Sequence, residues 1–286
     1  MTATVADIIK VMETMAPLRL AEEWDNVGLQ VGQLDWPVRS IWVALDPLYD
    51  VVDDACRNGV DLLLTHHPLI FNPLRCINFD TPVGSVIQAA AGHKLAIFAA
   101  HTNFDSAADG INDALAFRIG LADLEVLKRG DHPDEDSAAE FYPLLTPATD
   151  YMQKQGLGRV GELEETMELL PFALSIKEKL GLKYIKVAGK PDLPVRRVAV
   201  CSGSGSSLMK DFYSSGAQVF ISGDLRYHDA REVEALNLGL IDMGHFASEH
   251  LMVEVLAKRL DKILTADGKD VKVEACRLEN DPFLVL

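Results

Sequence analysis

The stretch VDLLLTHHP, residues 60–68, decides the fold class of this chain. Residues 60–65 form a short apolar run, which is typical of a strand buried on both faces of a sheet. The run ends in His66 and His67, directly before Pro68. Neighbouring side chains of a regular strand point to opposite faces, but the backbone at a turn into proline is irregular, and two imidazoles can converge there or serve two ions. Imidazole is a common ligand of Zn, Fe and Mn. The alternative is that both histidines are simply polar residues of a turn.

The segments on either side of this stretch alternate between strand and helix patterns. This alternation predicts an α/β fold with a largely parallel sheet covered by helices, in which ligands gather at the carboxyl ends of the strands. The expected strands are residues 40–45, 60–65, 94–100, 184–188, 197–201, 218–222 and 239–243. The expected helices are residues 4–15, 48–58, 83–91, 112–119, 167–180 and 229–236, with a further helix after the Gly/Ser-rich turn 202–207.

An irregular segment rich in proline and acidic residues, 128–150, interrupts this pattern. It has no clean periodicity, which is typical of a linker. We therefore predict a first α/β domain over residues 1–127, an irregular acidic linker over 128–152 and a second α/β domain over 153–286. The C-terminal part of the second domain could pack back on the first.

Two further clusters of candidate metal ligands follow predicted strands. In HTNFD, residues 101–105, Asp105 is a short carboxylate able to bridge two cations, although an aspartate in a loop is often only a helix or turn cap. In GHFASEH, residues 244–250, His245 and Glu249 stand four residues apart and share one face if a helix begins there. That spacing suits joint coordination of an ion, and it is also common in surface His–Glu pairs. Together with His66 and His67 these residues make the mixed nitrogen and oxygen ligand set expected of Zn, Fe or Mn.

Two histidines are candidates for proton transfer around such a site. His228 lies in GDLRYHD, residues 223–229, after a predicted strand, and could act as a general acid or base. The alternative there is a solvent-exposed histidine beside a helix cap at Asp229. His101 could be a ligand, a partner that orients a ligand, or a proton carrier, and the orienting role is favoured.

The overall charge limits the partners of the protein. The 286 residues carry 27 Lys and Arg against 43 Asp and Glu, a formal net charge of −16. Such a chain lacks the basic surface that duplex nucleic acid or an anionic membrane requires, whereas a bound metal can still attract a small anionic substrate. The N-terminus lacks the pattern of a signal peptide, and the four cysteines are scattered, as expected of reduced thiols. We therefore predict a cytoplasmic location.

Five stretches of the chain together resemble the GTP cyclohydrolase I type 2 homologue family, also known as the Ngg-interacting-factor-three-like proteins. They are EWDNVGLQVG (23–32), LTHHPLIF (64–71), HTNFD (101–105), SGD with YHD (222–224 and 227–229), and IDMGH (241–245) with Glu249. The resemblance runs from about residue 20 to about residue 250 in the same order. Ser202 stands where the family often has glycine, and Pro47 where threonine or valine is usual.

The resemblance implies two α/β domains that enclose a dinuclear metal site, and subunits joined in a toroidal hexamer built of dimers. The ligands that it implies are His66, His67, Asp105, His245 and Glu249, holding two divalent ions, Zn, Fe or Mn. The implied activity is hydrolysis of GTP to 7,8-dihydroneopterin triphosphate and formate by metal-activated water, with His228 or His101 moving protons. The alternatives are a phosphoester or amide hydrolase with another substrate, and a non-enzymatic hexamer that stores or delivers metal or binds a partner.

Overall fold

A computed structural model describes residues 2–130 and 154–285 of the chain. We number the elements along these residues. The strands are β1 (Ala3–Thr4), β2 (Gly28–Val31), β3 (Pro37–Val38), β4 (Ser40–Ala44), β5 (Leu62–Thr65), β6 (Ala96–Ala99), β7 (Ala122–Lys128), β8 (Leu157–Glu168), β9 (Lys186–Ala188), β10 (Pro194–Ser204), β11 (Val219–Gly223), β12 (Gly239–Asp242) and β13 (Lys272–Ala275). The helices are α1 (Val5–Met15), α2 (Tyr49–Arg57), α3 (Pro82–His93), α4 (Thr102–Ser106), α5 (Ile111–Ile119), α6 (Leu169–Lys179), α7 (Met209–Ser214), α8 (Tyr227–Ala235), α9 (His245–Glu249) and α10 (Leu251–Ala266).

These elements form two compact units. Unit one consists of Met1–Phe104 and Met252–Leu286, and unit two of Asp105–Leu251. The C-terminal helix and strand thus belong to the unit that begins the chain. The division into residues 1–127, 128–152 and 153–286 stays a prediction.

The sheet of unit one is mixed, in the order β13-β4-β5-β6-β2. Strands β13, β4, β5 and β6 are parallel to their neighbours, and β2 is antiparallel to β6. The residues of β5 and β6 are all buried, which explains why their sequences are continuously apolar rather than alternating. Helices α2 and α3 pack against the sheet through Val52, Ala55, Val86 and Ala90.

The sheet of unit two is also mixed, in the order β7-β8-β10-β11-β12-β9. Its central strands β10, β11 and β12 are parallel, and the outer pairings are antiparallel. Helices α5 and α6 cover one face through residues such as Leu115 and Phe172. Helices α7 and α8 contribute Phe212 and Val233 to a second core cluster. The predicted α/β fold with helix-covered sheets is confirmed, and antiparallel outer strands make both sheets mixed.

The structure contains elements that were not predicted, among them strands β2, β7, β8 and β13 and helix α10, and it ends one predicted helix at a different residue. Helix α3 does not stop at Gly92 but continues to His93, and Lys94 caps it in the left-handed conformation with φ 56°. Strand β8 was not predicted, because the run GELEETME, residues 161–168, is polar and mostly solvent-facing. Pairing with β10 holds that run extended, and β7 pairs with the part of β8 up to Glu162.

The structure bears on the predicted irregular segment and on the possibility of a membrane-spanning helix. Most of the predicted irregular segment 128–150 lies outside the described residues. Within residues 2–130 and 154–285, helices are too short or too polar to cross a membrane.

Candidate metal centre

Three histidines come together at the carboxyl end of the parallel strands in unit one. His66 and His67 follow β5, and His101 follows the neighbouring strand β6. One ring nitrogen of each histidine lies within 4.8 Å of those of the other two. Their ring centroids are 5.0–5.5 Å apart. His101 was predicted mainly as an orienting residue or proton carrier, but its ring lies about as close to His66 and His67 as those two predicted ligands lie to each other.

Each histidine of this cluster is oriented through its Nδ1 atom. The Nδ1 of His66 lies 2.9 Å from the carbonyl oxygen of Ala100. The Nδ1 of His67 lies 2.7 Å from Asp46, and that of His101 lies 2.9 Å from Asp25. A carbonyl or carboxylate oxygen accepts a hydrogen bond, so Nδ1 carries the proton and Nε2 of the neutral ring has the lone pair. Metal-binding histidines are commonly held by such partners.

The Asp25 carboxylate is fixed in its ionised form. Burial of its side chain raises the pKa, but hydrogen bonds from His101 and Thr102 outweigh burial and lower the pKa to about 2. The Thr102 N–H donates to the same carboxylate at 3.1 Å. Asp25 therefore stays anionic and can hold the His101 ring over the physiological pH range.

Glu279 supports the loop that carries Asp46. Its buried carboxylate accepts hydrogen bonds from the N–H groups of Leu45, at 2.8 Å to the nearer oxygen, and Asp46, at 2.7 Å. Burial raises the pKa of Glu279, while these two N–H groups act in the opposite direction. The C-terminal segment thereby fixes the backbone from which Asp46 reaches His67.

His245 and Glu249 are a contacting pair in unit two. Both lie in α9, as the four-residue spacing predicts, and His245 Nε2 is 2.9 Å from Glu249 Oε2. The Nδ1 of His245 is 2.8 Å from Asp224. The hydrogen bond to Glu249 raises the pKa of His245 to about 9, against the opposing effect of burial and with a smaller contribution from Asp224. The two carboxylates thus concentrate negative charge around one imidazole.

Asp105 is buried in unit two and belongs to α4. Ser202 Oγ donates to its carboxylate at 3.3 Å, and the amide of Asn112 donates to its backbone carbonyl at 3.0 Å. The carboxylates of Asp105 and Glu249 both act on Cys201, the thiol pKa of which is raised first by burial and then by these two charges. Asp105 and Glu249 therefore lie in the same electrostatic neighbourhood of this unit.

Gly203 makes room for the Glu249 carboxylate. A Cβ atom at this position would lie 2.1 Å from Glu249 Oε1, and the residue has a φ of +64°. Both facts require glycine, since a β-carbon would clash and an L-residue is strained in that conformation.

His228 is exposed and is the second residue of α8. Its ring contacts the ring of Tyr227, with centroids 5.6 Å apart. Its role in proton transfer stays a prediction.

The sequence interpretation missed the residues that orient the histidines. These are Asp25, Asp46, Asp224 and Glu279. Asp46 and Asp224 had a usable signal, because each follows a buried strand at its carboxyl end, where the histidines also lie. Glu279 had none, since its pairing with Leu45 joins residues 234 positions apart.

The donor atoms of both units fit a divalent metal ion. The histidine cluster of unit one offers the Nε2 atoms of three imidazole rings, and the Nδ1 atom of each ring already has a hydrogen-bond partner. The His245–Glu249 pair offers an imidazole and a buried carboxylate. Nitrogen and oxygen ligands of this kind suit Zn, Fe or Mn.

The fold and these clusters define a mixed α/β protein with histidine and carboxylate groups that could hold metal. Residues 3–282 match the family described as Duf34/NIF3 (NGG1p interacting factor 3), and the chain belongs to that family.

Relatives of similar length support this membership. A Clostridium acetobutylicum protein named GTP cyclohydrolase 1 type 2 homolog is 31% identical over 99% of both chains. A Streptomyces coelicolor protein of the same name is 35% identical over 98% of this chain and 93% of its own. The crystal structure of a Bacillus cereus protein related to NIF3 matches with a TM-score of 0.89 at 30% identity and full coverage of both chains.

Proposed function

We propose that this protein is a metal-dependent hydrolase with two divalent ions, Zn, Fe or Mn, held by a shared set of ligands. The proposed ligands are His66, His67, Asp105, His245 and Glu249. The observation that carries the proposal is the orientation of the histidines. The Nδ1 atoms of His66 and His67 each face a protein oxygen acceptor, at 2.9 and 2.7 Å, so that Nε2 is the atom presented for coordination. The His245 ring is held by Asp224 at Nδ1 and by Glu249 at Nε2, and a metal ion would replace the proton between His245 and Glu249.

The two carboxylates of this set have a separate electrostatic role. Two divalent cations a few ångströms apart repel each other, and anionic ligands offset that repulsion. Asp105 and Glu249 are buried, so their charges are poorly screened by solvent. They would therefore contribute more to ion binding than exposed acidic groups of the strongly acidic chain.

The proposed reaction is the conversion of GTP to 7,8-dihydroneopterin triphosphate and formate. A divalent ion held by these ligands would lower the pKa of a water molecule and make hydroxide available near neutral pH. Attack of water at C8 of the guanine ring would open the imidazole ring to a formamide, and a second water would release C8 as formate. Rearrangement of the ribose and closure of the pterin ring would then return one water. In this proposal His101, held by Asp25, or the exposed His228 carries protons to and from the substrate. The names of the two relatives support GTP as the first substrate to test.

The reaction can be tested directly with full-length protein loaded separately with Zn, Fe or Mn. Formate and pterin release from GTP are the measured quantities. We expect Glu249→Gln to lower turnover by orders of magnitude, because ion binding is lost or weakened. We expect His228→Gln to keep its metal and slow turnover alone. Glu234→Gln, on an exposed pair with Arg231, is the matched control and should behave as wild type.

The same assay separates the alternatives. If the protein binds two ions but releases no formate from GTP with Zn, Fe or Mn, GTP hydrolysis is rejected. A screen of phosphoesters and amides would then distinguish another hydrolase from a metal-storing or partner-binding assembly. Unchanged turnover in His228→Gln would leave that residue as a solvent-exposed histidine.

We further propose that the chain acts in the cytoplasm as a homohexamer with a small-molecule substrate. The resemblance of the chain to its family supports the hexamer, and the excess of acidic residues disfavours nucleic acid as a partner.

A further inference from the structure

Trp24 is an exposed tryptophan beside the histidine cluster of unit one. It is 57% exposed, and the nearby Phe71 is 49% exposed. The centroid of the Trp24 ring lies 5.8 Å from that of Phe71 and 6.0 Å from that of His101, with the rings edge to face. Large aromatic side chains are most stabilising when buried. Two exposed rings in contact beside a polar cluster therefore point to a surface that a ligand covers.

Hydrogen bonds made by Glu22 and Asp25 hold the turn that carries Trp24. The Asp25 N–H donates to the Glu22 carbonyl at 2.9 Å and closes the turn. The Glu22 N–H donates to Thr102 Oγ1 at 3.0 Å, and the Asp25 carboxylate accepts from the Thr102 N–H and from His101 Nδ1. Because the backbone is already ordered, binding a ligand here costs little further conformational entropy.

The loop that carries Phe71 is fastened to the segment after Trp24. The side-chain amide of Asn26 donates to the Ile70 carbonyl at 2.5 Å. The Ile70 N–H donates to Gln30 Oε1 at 3.2 Å. The two loops therefore hold each other, so that hydrogen bonds fix the backbone segments that carry the two aromatic rings.

We propose that Trp24 and Phe71 form a stacking surface for the planar heterocyclic ring of a nucleoside or nucleotide. The surface places that ring next to His66, His67 and His101. Stacking on an aromatic side chain accepts any base, because every base has a π face. The two protein rings are tilted by 49°, so one can stack on the ligand while the other meets its edge. The choice of a nucleotide rests on the proposed function, whereas the stacking surface itself does not require catalysis.

Binding of nucleosides to the full-length protein tests this proposal without turnover. The probes are guanosine, adenosine, cytidine and uridine, titrated calorimetrically into wild type with and without metal. Trp24→Leu keeps an apolar side chain but removes the ring, and we expect its Kd to rise roughly ten- to a hundredfold. Phe71→Leu should also weaken binding, and Trp24→Phe, which keeps a ring, should lose less than Trp24→Leu. Trp36→Phe is the control, because Trp36 is half-buried elsewhere and bonds Gln33.

Several results would overturn the proposal. One is equal affinity in wild type and Trp24→Leu. Another is no nucleoside bound by wild type at millimolar concentration. A fall in molecular mass in Trp24→Leu, with nucleoside affinity unchanged, would instead show that a second copy of the chain covers the rings. If wild type binds nucleoside more tightly than Trp24→Leu but releases no formate from GTP, the stacking surface is supported and the hydrolase is rejected. If wild type and Trp24→Leu release formate from GTP at the same rate, the hydrolase is supported and the stacking surface is rejected.

Discussion

At the scale of single residues, Gly203 gives the sharpest prediction. In Gly203→Ala the new Cβ would meet the Glu249 carboxylate, so we expect that side chain to be displaced and metal content to fall. Unfolding free energy should also fall by about 1–2 kcal/mol, because an L-residue enters the left-handed region. Metal analysis and urea unfolding measure the two effects.

Gly216→Ala is the matched control for this substitution. Gly216 also has a positive φ, +74°, but nothing lies within 4 Å of its missing Cβ. It should lose similar backbone stability and keep its metal. Equal metal content in the two variants would contradict the placement of Glu249 against Gly203.

Glu279 gives a second residue-scale prediction. Replacement by Gln keeps its size but turns an anionic acceptor of two N–H groups into a neutral one. We expect a loss of about 1–3 kcal/mol in unfolding free energy and weaker metal binding through His67, because the Asp46 backbone loses its support. Glu274→Gln, on a pair with Lys272 at the surface, should change stability by less than about 1 kcal/mol. Identical urea midpoints for the two variants would count against the supporting role of Glu279.

At the scale of elements, the sequence is most informative where a strand is buried on both faces. The runs at β4, β5, β11 and β12 and the helix at α9 could be found from apolar patterning and spacing alone. Strand β8 could not, because its polar end is held by pairing with β10, and pairing between distant segments leaves no local pattern. The same physical reason hid Glu279, which bonds to Leu45 across 234 positions of the chain.

A buried arginine joins several elements of unit two, and its removal should be costly. Arg159 in β8 makes a bidentate ion pair with Asp113 of α5, with Nε 2.9 Å from Oδ1 and Nη2 2.7 Å from Oδ2. Its Nη2 also donates to the Ala107 carbonyl. Arg159→Met would leave the Asp113 charge buried without its partner, and we expect a loss of about 3–5 kcal/mol in unfolding free energy. Adding Asp113→Leu should restore part of that loss.

The matched control is Arg196→Met. Arg196 pairs with Glu162 at the surface, where both side chains are substantially exposed, so its loss should cost less than about 1 kcal/mol. Denaturant unfolding followed by circular dichroism compares the three variants. A similar cost for Arg159→Met and Arg196→Met would refute the structural role of the buried pair.

At the scale of the whole molecule, a homohexamer is expected, and exposed apolar side chains suggest where subunits could meet. Leu170 and Leu174 stand four residues apart on α6 and are 44% and 55% exposed. Such exposed apolar pairs are frequent at subunit contacts. We expect light scattering to give a hexamer mass for wild type and a smaller mass for Leu174→Glu. Leu236→Glu, after α8, should keep the wild-type mass, and a monomeric wild type would remove the prediction.

The central claim is the proposal that His66, His67, Asp105, His245 and Glu249 hold two ions per chain, and metal content tests it most directly. Protein purified without chelator is analysed by mass spectrometry of its metals, as wild type, His67→Asn, Glu249→Gln and the control Glu234→Gln. We predict close to two ions in wild type and in the control, and a clear loss both in His67→Asn, from unit one, and in Glu249→Gln, from unit two. Circular dichroism should be unchanged throughout, because the substituted side chains do not belong to these apolar core clusters. Wild-type metal content in both His67→Asn and Glu249→Gln would contradict the account.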